Sequence, residues 1–148
     1  MIERMFESGP PVRPVAPGSP GAHTAARATG GPPGWPEGVP PPSARGWQVA
    51  AVAWLLDLCP PEYRGHTVLR RHPVALVWLA ERHVTAQVEA MRVAYRTVRV
   101  DLGEELPAGT VEALLVCLEH EGLRLRAAQR GIALLREAMA DLVFVERL

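Results

Sequence analysis

PVALVWLAERHVTAQVEAMRVAYRTVRVDL, residues 73–102, and VEALLVCLEHEGLRLRAAQRGIALLREAMADL, residues 111–142, repeat apolar residues with a seven-residue period. In the first, Val74, Val77, Val84, Val88, Met91, Tyr95, Val98 and Leu102 alternate by threes and fours, broken at Glu81. In the second, Val111, Leu114, Leu118, Leu125, Ala128, Ile132, Leu135, Met139 and Leu142 do the same, broken at Glu121. A seam at 3.5-residue spacing is that of a helix packing lengthwise on another helix. The connection GEELPAG, hinged at Pro107, is short enough only for a tight reversal. The spacing therefore predicts an antiparallel, coiled-coil-like helical hairpin. Pairing positions equidistant from the hinge sets Val98 near Leu114, Tyr95 near Leu118, Val88 near Leu125 and Val77 near Leu135. Glu81 and Glu121 then oppose Ile132 and Met91, so each carboxylate must reach outward or find an arginine.

Upstream, Trp47, Ala51, Trp54, Leu55 and Leu58 lie at helical spacing before Pro60 and Pro61. Ser43 follows three prolines and is the expected cap. A helix over about 44–58 results, followed by a connector and by Pro73 at the first position of the next helix. The segment VALVWLA is apolar on every side, and the short helix is its expected cover. The all-α domain thus spans 43–148, with helices at about 44–58, 73–102 and 108–142. Eleven of the 15 prolines fall within residues 1–46. Residues 1–42 read as a disordered Pro/Gly/Ala-rich tail that buries too little apolar surface to offset its ordering entropy. Its PPVRPVAP segment suits polyproline II. The C-terminal DLVFVERL is apolar enough to pack or to make a contact.

All 16 basic residues are arginine and balance 3 Asp and 13 Glu, for a net charge of zero. Nothing in that balance favours nucleic acid or an anionic membrane. Cys59 and Cys117 are too few for a disulfide framework and read as two buried small hydrophobes. Glu3 and Glu7 interrupt the first residues, and Trp47–Leu56 is only half the ~20 residues that span a bilayer. The expectation is a soluble cytoplasmic protein.

The stretch LLDLCPPEYRGHTVLRRHPVALVWLAERHV, residues 55–84, followed by the hairpin, resembles short uncharacterised helical proteins of high-GC actinobacteria. The resemblance covers residues 47 to about 140 and implies the helical fold. It carries no activity and no functional residue.

Catalytic equipment is not legible. His23, His66, His72, His83 and His120 show neither HxxxH nor HExxH spacing, and no Glu-x-x-His pair suits a di-iron bundle. Ser8, Ser19 and Ser43 sit in or beside the tail, and no glycine-rich phosphate loop follows a strand. No catalytic, cofactor-binding or metal residue is assigned, and the expectation is a non-enzymatic protein without cofactor. A second stripe, Leu79, Ala86, Val93 and Val100, lies opposite the seam of the first long helix. The short helix reaches only its Leu79 end, so Val93 and Val100 are expected to seek a partner. A homodimer in a four-helix arrangement is the simplest solution. The candidate contact residues are Leu79, Val93 and Val100 with Arg92, Arg96 and Arg99 on the flank. The alternative is a nucleic-acid-associated regulator using Arg64, Arg70 and Arg71 of the connector, which would meet phosphates. Glu112 and Glu119 lie level with the Arg flank and compete for it.

Overall fold

A computed structural model describes residues 30–145, with side chains to Asp141. The expected disorder of residues 1–29, the PPVRPVAP segment and most of DLVFVERL lie outside these described side chains. Every regular element among the described residues is helical: α1 (Trp47–Asp57), a 3-10 turn (Pro61–Gly65), α2 (Thr67–Arg71), α3 (Pro73–Leu102) and α4 (Thr110–Val145). The two long helices have 30 and 36 residues and pack on each other. Arg99 meets Glu112, Thr85 meets Gln129, and Glu81 meets Arg136. These pairs step away from the connection on both helices, so α3 and α4 run antiparallel. The seam carboxylates are resolved as their placement demands. Glu81 accepts from Arg136 at 2.7 and 3.0 Å, and Glu121 accepts from Arg124 at 2.6 and 2.8 Å.

The main core gathers Trp47, Ala51 and Leu55 of α1, Leu76, Val77, Ala80, Val84 and Val88 of α3, and Leu125, Ala128, Ile132, Leu135 and Met139 of α4. A separate cluster of Val98, Val111 and Leu115 closes the hinge end. Two seam assignments differ: Val74 and Tyr95 are exposed. Leu76 and Ala80, off the seam, are fully enclosed because α1 covers a second side of α3 there. That cover is incomplete, since Trp78 stays open with the Arg82 guanidinium 3.7 Å over its ring.

Order begins well before Ser43. Residues 30–46 form a strap whose Pro36 and Val39 are buried and whose Trp35 packs 5.8 Å from the Trp47 ring. Two consecutive turns build it, Trp35 N–H donating to Pro32 and Val39 N–H to Pro36. Gly34 and Gly38 occupy the third position of these turns at φ of 87° and 80°, where a side chain would be strained. Trp35 Nε1–H then donates to the Val39 carbonyl at 2.9 Å. The prolines restrict the unfolded chain, so few anchors suffice to hold the strap. With the chain committed to this turn path, Gly46 and not Ser43 precedes the helix, and no side chain caps α1.

The strap, α1 and α4 converge at Gly131. A Cβ there would lie 2.9 Å from the Trp54 ring and 3.1 Å from Pro36, whereas one at Gly122 would meet nothing within 4 Å. Alanine favours a helix interior by about 1 kcal/mol over glycine. Gly122→Ala should therefore stabilise the fold by about 0.5–1 kcal/mol. Gly131→Ala should destabilise it by roughly 1–3 kcal/mol through overpacking. Paired urea denaturation curves check the two signs, and equal behaviour of the variants would contradict the packing at Gly131.

Candidate interaction surface

Gly131 and Gly122 lie nine residues apart, which at 100° per residue places them on opposite sides of α4. The Gly131 side carries α1 and the strap. The Gly122 side is uncovered, and there the two clusters of the core leave a gap. The gap is an open groove of 350 Å³ between α3 and α4. Val88, Met91, Tyr95, Leu118 and Leu123 supply its apolar surface, and Arg92, Arg96, Glu119 and Arg126 its charges. Gly122 opens it by contributing no side chain. Tyr95, at the centre of the seam by spacing, is 48% exposed because the groove runs beside it.

The sequence-predicted contact residues separate into three places. Leu79 is half-buried against the main core. Val93 and Val100 lie on the far side of α3 at 45% and 85% exposure, with Ala86 exposed in the same stripe. Arg92 and Arg96 line the groove and share Glu89, at 3.4 and 3.6 Å. Arg99 sits at the hinge, 3.0 Å from Glu112, so one of the two anticipated Glu–Arg pairings forms. In the connector Arg64 pairs with Asp57, while Arg70 and Arg71 are exposed on α2. Exposed pairs of this kind stabilise by at most about 1 kcal/mol.

Met91, Tyr95 and Leu118 were readable as seam residues only. Leu123 and Arg126 carried no signal in the spacing. The available hint was the seam mismatch of Met91 with Glu121, next to a mid-helix glycine. The cysteines divide as well: Cys59 is buried, but Cys117 is exposed, contrary to its reading as a core residue. Cys117 falls on a side of α4 that α1 is too short to cover. Among the described residues, no helix is long and apolar enough to cross a membrane, and no three His, Cys, Asp or Glu side chains group to hold a metal. Compared against protein families, curated proteins and solved structures, the chain finds no match.

Two titrations follow from this geometry. Hydrogen bonds from the Arg124 guanidinium hold the Glu121 carboxyl below the ordinary glutamate range. Because the folded-state value is depressed, the pair stabilises the fold above the ordinary glutamate range and the contribution fades as pH falls. Arg124→Ala should move the Glu121 midpoint upward in a carboxyl-carbon NMR titration; an unmoved midpoint would dissociate the two groups. Burial pushes the Cys59 thiol up. A thiol reagent at neutral pH should accordingly modify Cys117 in the native chain and reach Cys59 only on denaturation, as mass spectrometry of the labelled peptides would show.

Proposed function

We propose that this chain is a cytoplasmic, non-enzymatic interaction protein that works through its helical hairpin as a homodimer. The observation that carries the reading is the apolar stripe left open on the back of α3, Ala86, Val93 and Val100. An apolar stripe on the outer side of a long helix is a surface in search of a second helix. The hinge end adds to the need, since only three buried side chains anchor it. Each is worth about 1.5–3 kcal/mol at full burial.

The stripe is suited to a two-fold axis. Two copies of α3 laid antiparallel about Val93 set Val93 against itself and Ala86 against Val100, small against large. The same arrangement brings Glu89 of one copy beside Arg96 of the other. Both residues are now held only by exposed in-chain pairing at 3.4–3.6 Å, which leaves them free to exchange partners.

Light scattering over a concentration series tests this. The wild-type chain should run as a dimer that Val93→Glu converts largely to monomer, with the helical circular dichroism unchanged because Val93 is outside the core. A monomer at every concentration, or a dimer indifferent to the substitution, would remove the reading.

A further inference from the structure

The groove beside Gly122 is bounded at both ends by bridges between α3 and α4. Gln129 Nε2–H donates to Thr85 Oγ1 at 3.2 Å, and Arg99 Nη1–H donates to the Glu112 carboxylate at 3.0 Å. Thr85 and Arg99 each stand two turns from Arg92, Gln129 stands two turns from Gly122, and Glu112 two turns from Glu119. Two turns return a helix to the same side, so both bridges fall on the groove's own side of the hairpin.

Between the bridges, residues 88–96 of α3 and 118–126 of α4 line the groove over ~13 Å. Spread over that length, its 350 Å³ gives a cross-section of roughly 25 Å². A helix of ~10 Å diameter needs about 80 Å², so none fits inside. A single alkyl chain does fit, and ~13 Å is about the extended length of ten carbons.

The lining selects the chemistry. Met91, Leu118 and Leu123 are apolar, and the Tyr95 hydroxyl is the one uncharged polar side-chain group among the lining residues. Polar groups along the middle of a ligand would lose water there and gain almost no partner. The rim, by contrast, is short of acid, with three arginines to one glutamate. Arg92 and Arg96 divide Glu89 between them at 3.4 and 3.6 Å. Arg126 pairs with no carboxylate among the described residues. A carboxylate that takes two parallel hydrogen bonds from one guanidinium would improve on these long, exposed contacts. The groove thus matches a molecule with one terminal anion and an unsubstituted chain.

We propose that the groove between α3 and α4 is a binding site for a free medium-chain fatty acid of about ten carbons. The rim arginines take its carboxylate, and its chain lies over Met91 and Gly122 between Tyr95 and Leu118. The site needs neither a second copy nor the Val93 stripe.

The test titrates decanoate into the full chain. Binding should saturate at one per chain, with NMR amide shifts centred on Met91, Leu118 and Gly122. A fully buried methylene is worth about fourfold in affinity, so octanoate should bind several-fold to about fifteenfold weaker. 1-Decanol has the chain without the charge and should bind about tenfold weaker than decanoate. Arg126→Gln should lower decanoate affinity several-fold and leave that of decanol unchanged. Gly122→Leu should abolish binding of both. A Cβ at 122 meets nothing within 4 Å, so the new side chain fills the groove without displacing a neighbour, and circular dichroism checks that the helices remain. An unsaturable titration, shifts centred elsewhere, equal affinity for decanoate and decanol, or binding that survives Gly122→Leu would overturn the proposal. Neither Arg126 nor Gly122 belongs to the α3 stripe, so the light-scattering result stands whichever way the titration falls.

Discussion

The close approach of Trp54 and Pro36 to the backbone of Gly131 is the contact on which the rest of the structure depends. Three parts of the chain that are remote in sequence meet there: the strap, α1 and the middle of α4. Any side chain at 131 would push the indole away from α4, and α1 would lift with it. α1 in turn encloses Leu76 and Ala80 of α3, so a single missing Cβ governs how tightly the proximal end closes. A glycine in a helix interior costs about 1 kcal/mol. Burial of an aromatic side chain of indole size recovers more than that.

The cover stops where α1 stops. An 11-residue helix is ~17 Å long, against ~45 Å for the 30 residues of α3. Beyond its reach the protein is two helices thick. The core divides there into a large proximal cluster and a small one at the hinge. Between them the seam residues Met91, Tyr95 and Leu118 keep their spacing yet lose their enclosure. The groove and the open α3 stripe thus share one cause, a hairpin longer than the layer that covers it.

How far the sequence foretold this follows from what each pattern encodes. Heptad spacing reports the direction in which a side chain points, and it placed Val77, Val84, Val88, Leu125, Ile132 and Leu135 in the core and set the pairing of the two helices. It does not report what stands opposite, so Tyr95 was assigned to a closed seam although Gly122 leaves that place open. Composition misled at the strap. Counting prolines and glycines in residues 30–42 suggests disorder, but PPGW and PEGV each place a glycine where a turn needs positive φ. With Trp35, Pro36 and Val39 spaced to fold inward, the local order of residues was informative where their abundance was not. Ser43 lost its capping role for the same reason, since the strap fixes the path into α1 before a cap is needed.

The two uncovered faces differ in the charges that border them. The α3 stripe is flanked by both signs, Glu89 and Arg96, so a two-fold axis through Val93 brings unlike charges together. The groove is flanked by Arg92, Arg96 and Arg126 against Glu119, so the same symmetry operation brings like charges together. Like charges juxtaposed at an interface cost several kcal/mol. A symmetric partner would therefore meet less charge repulsion on the stripe than on the groove. Arg96 stands between the two faces and is shared by them. Occupation of the groove by a carboxylate would draw Arg96 from Glu89, releasing Glu89 toward the stripe. Coupling between the faces, if both are used, would pass through Glu89 and the guanidinium groups of Arg92 and Arg96 that it serves.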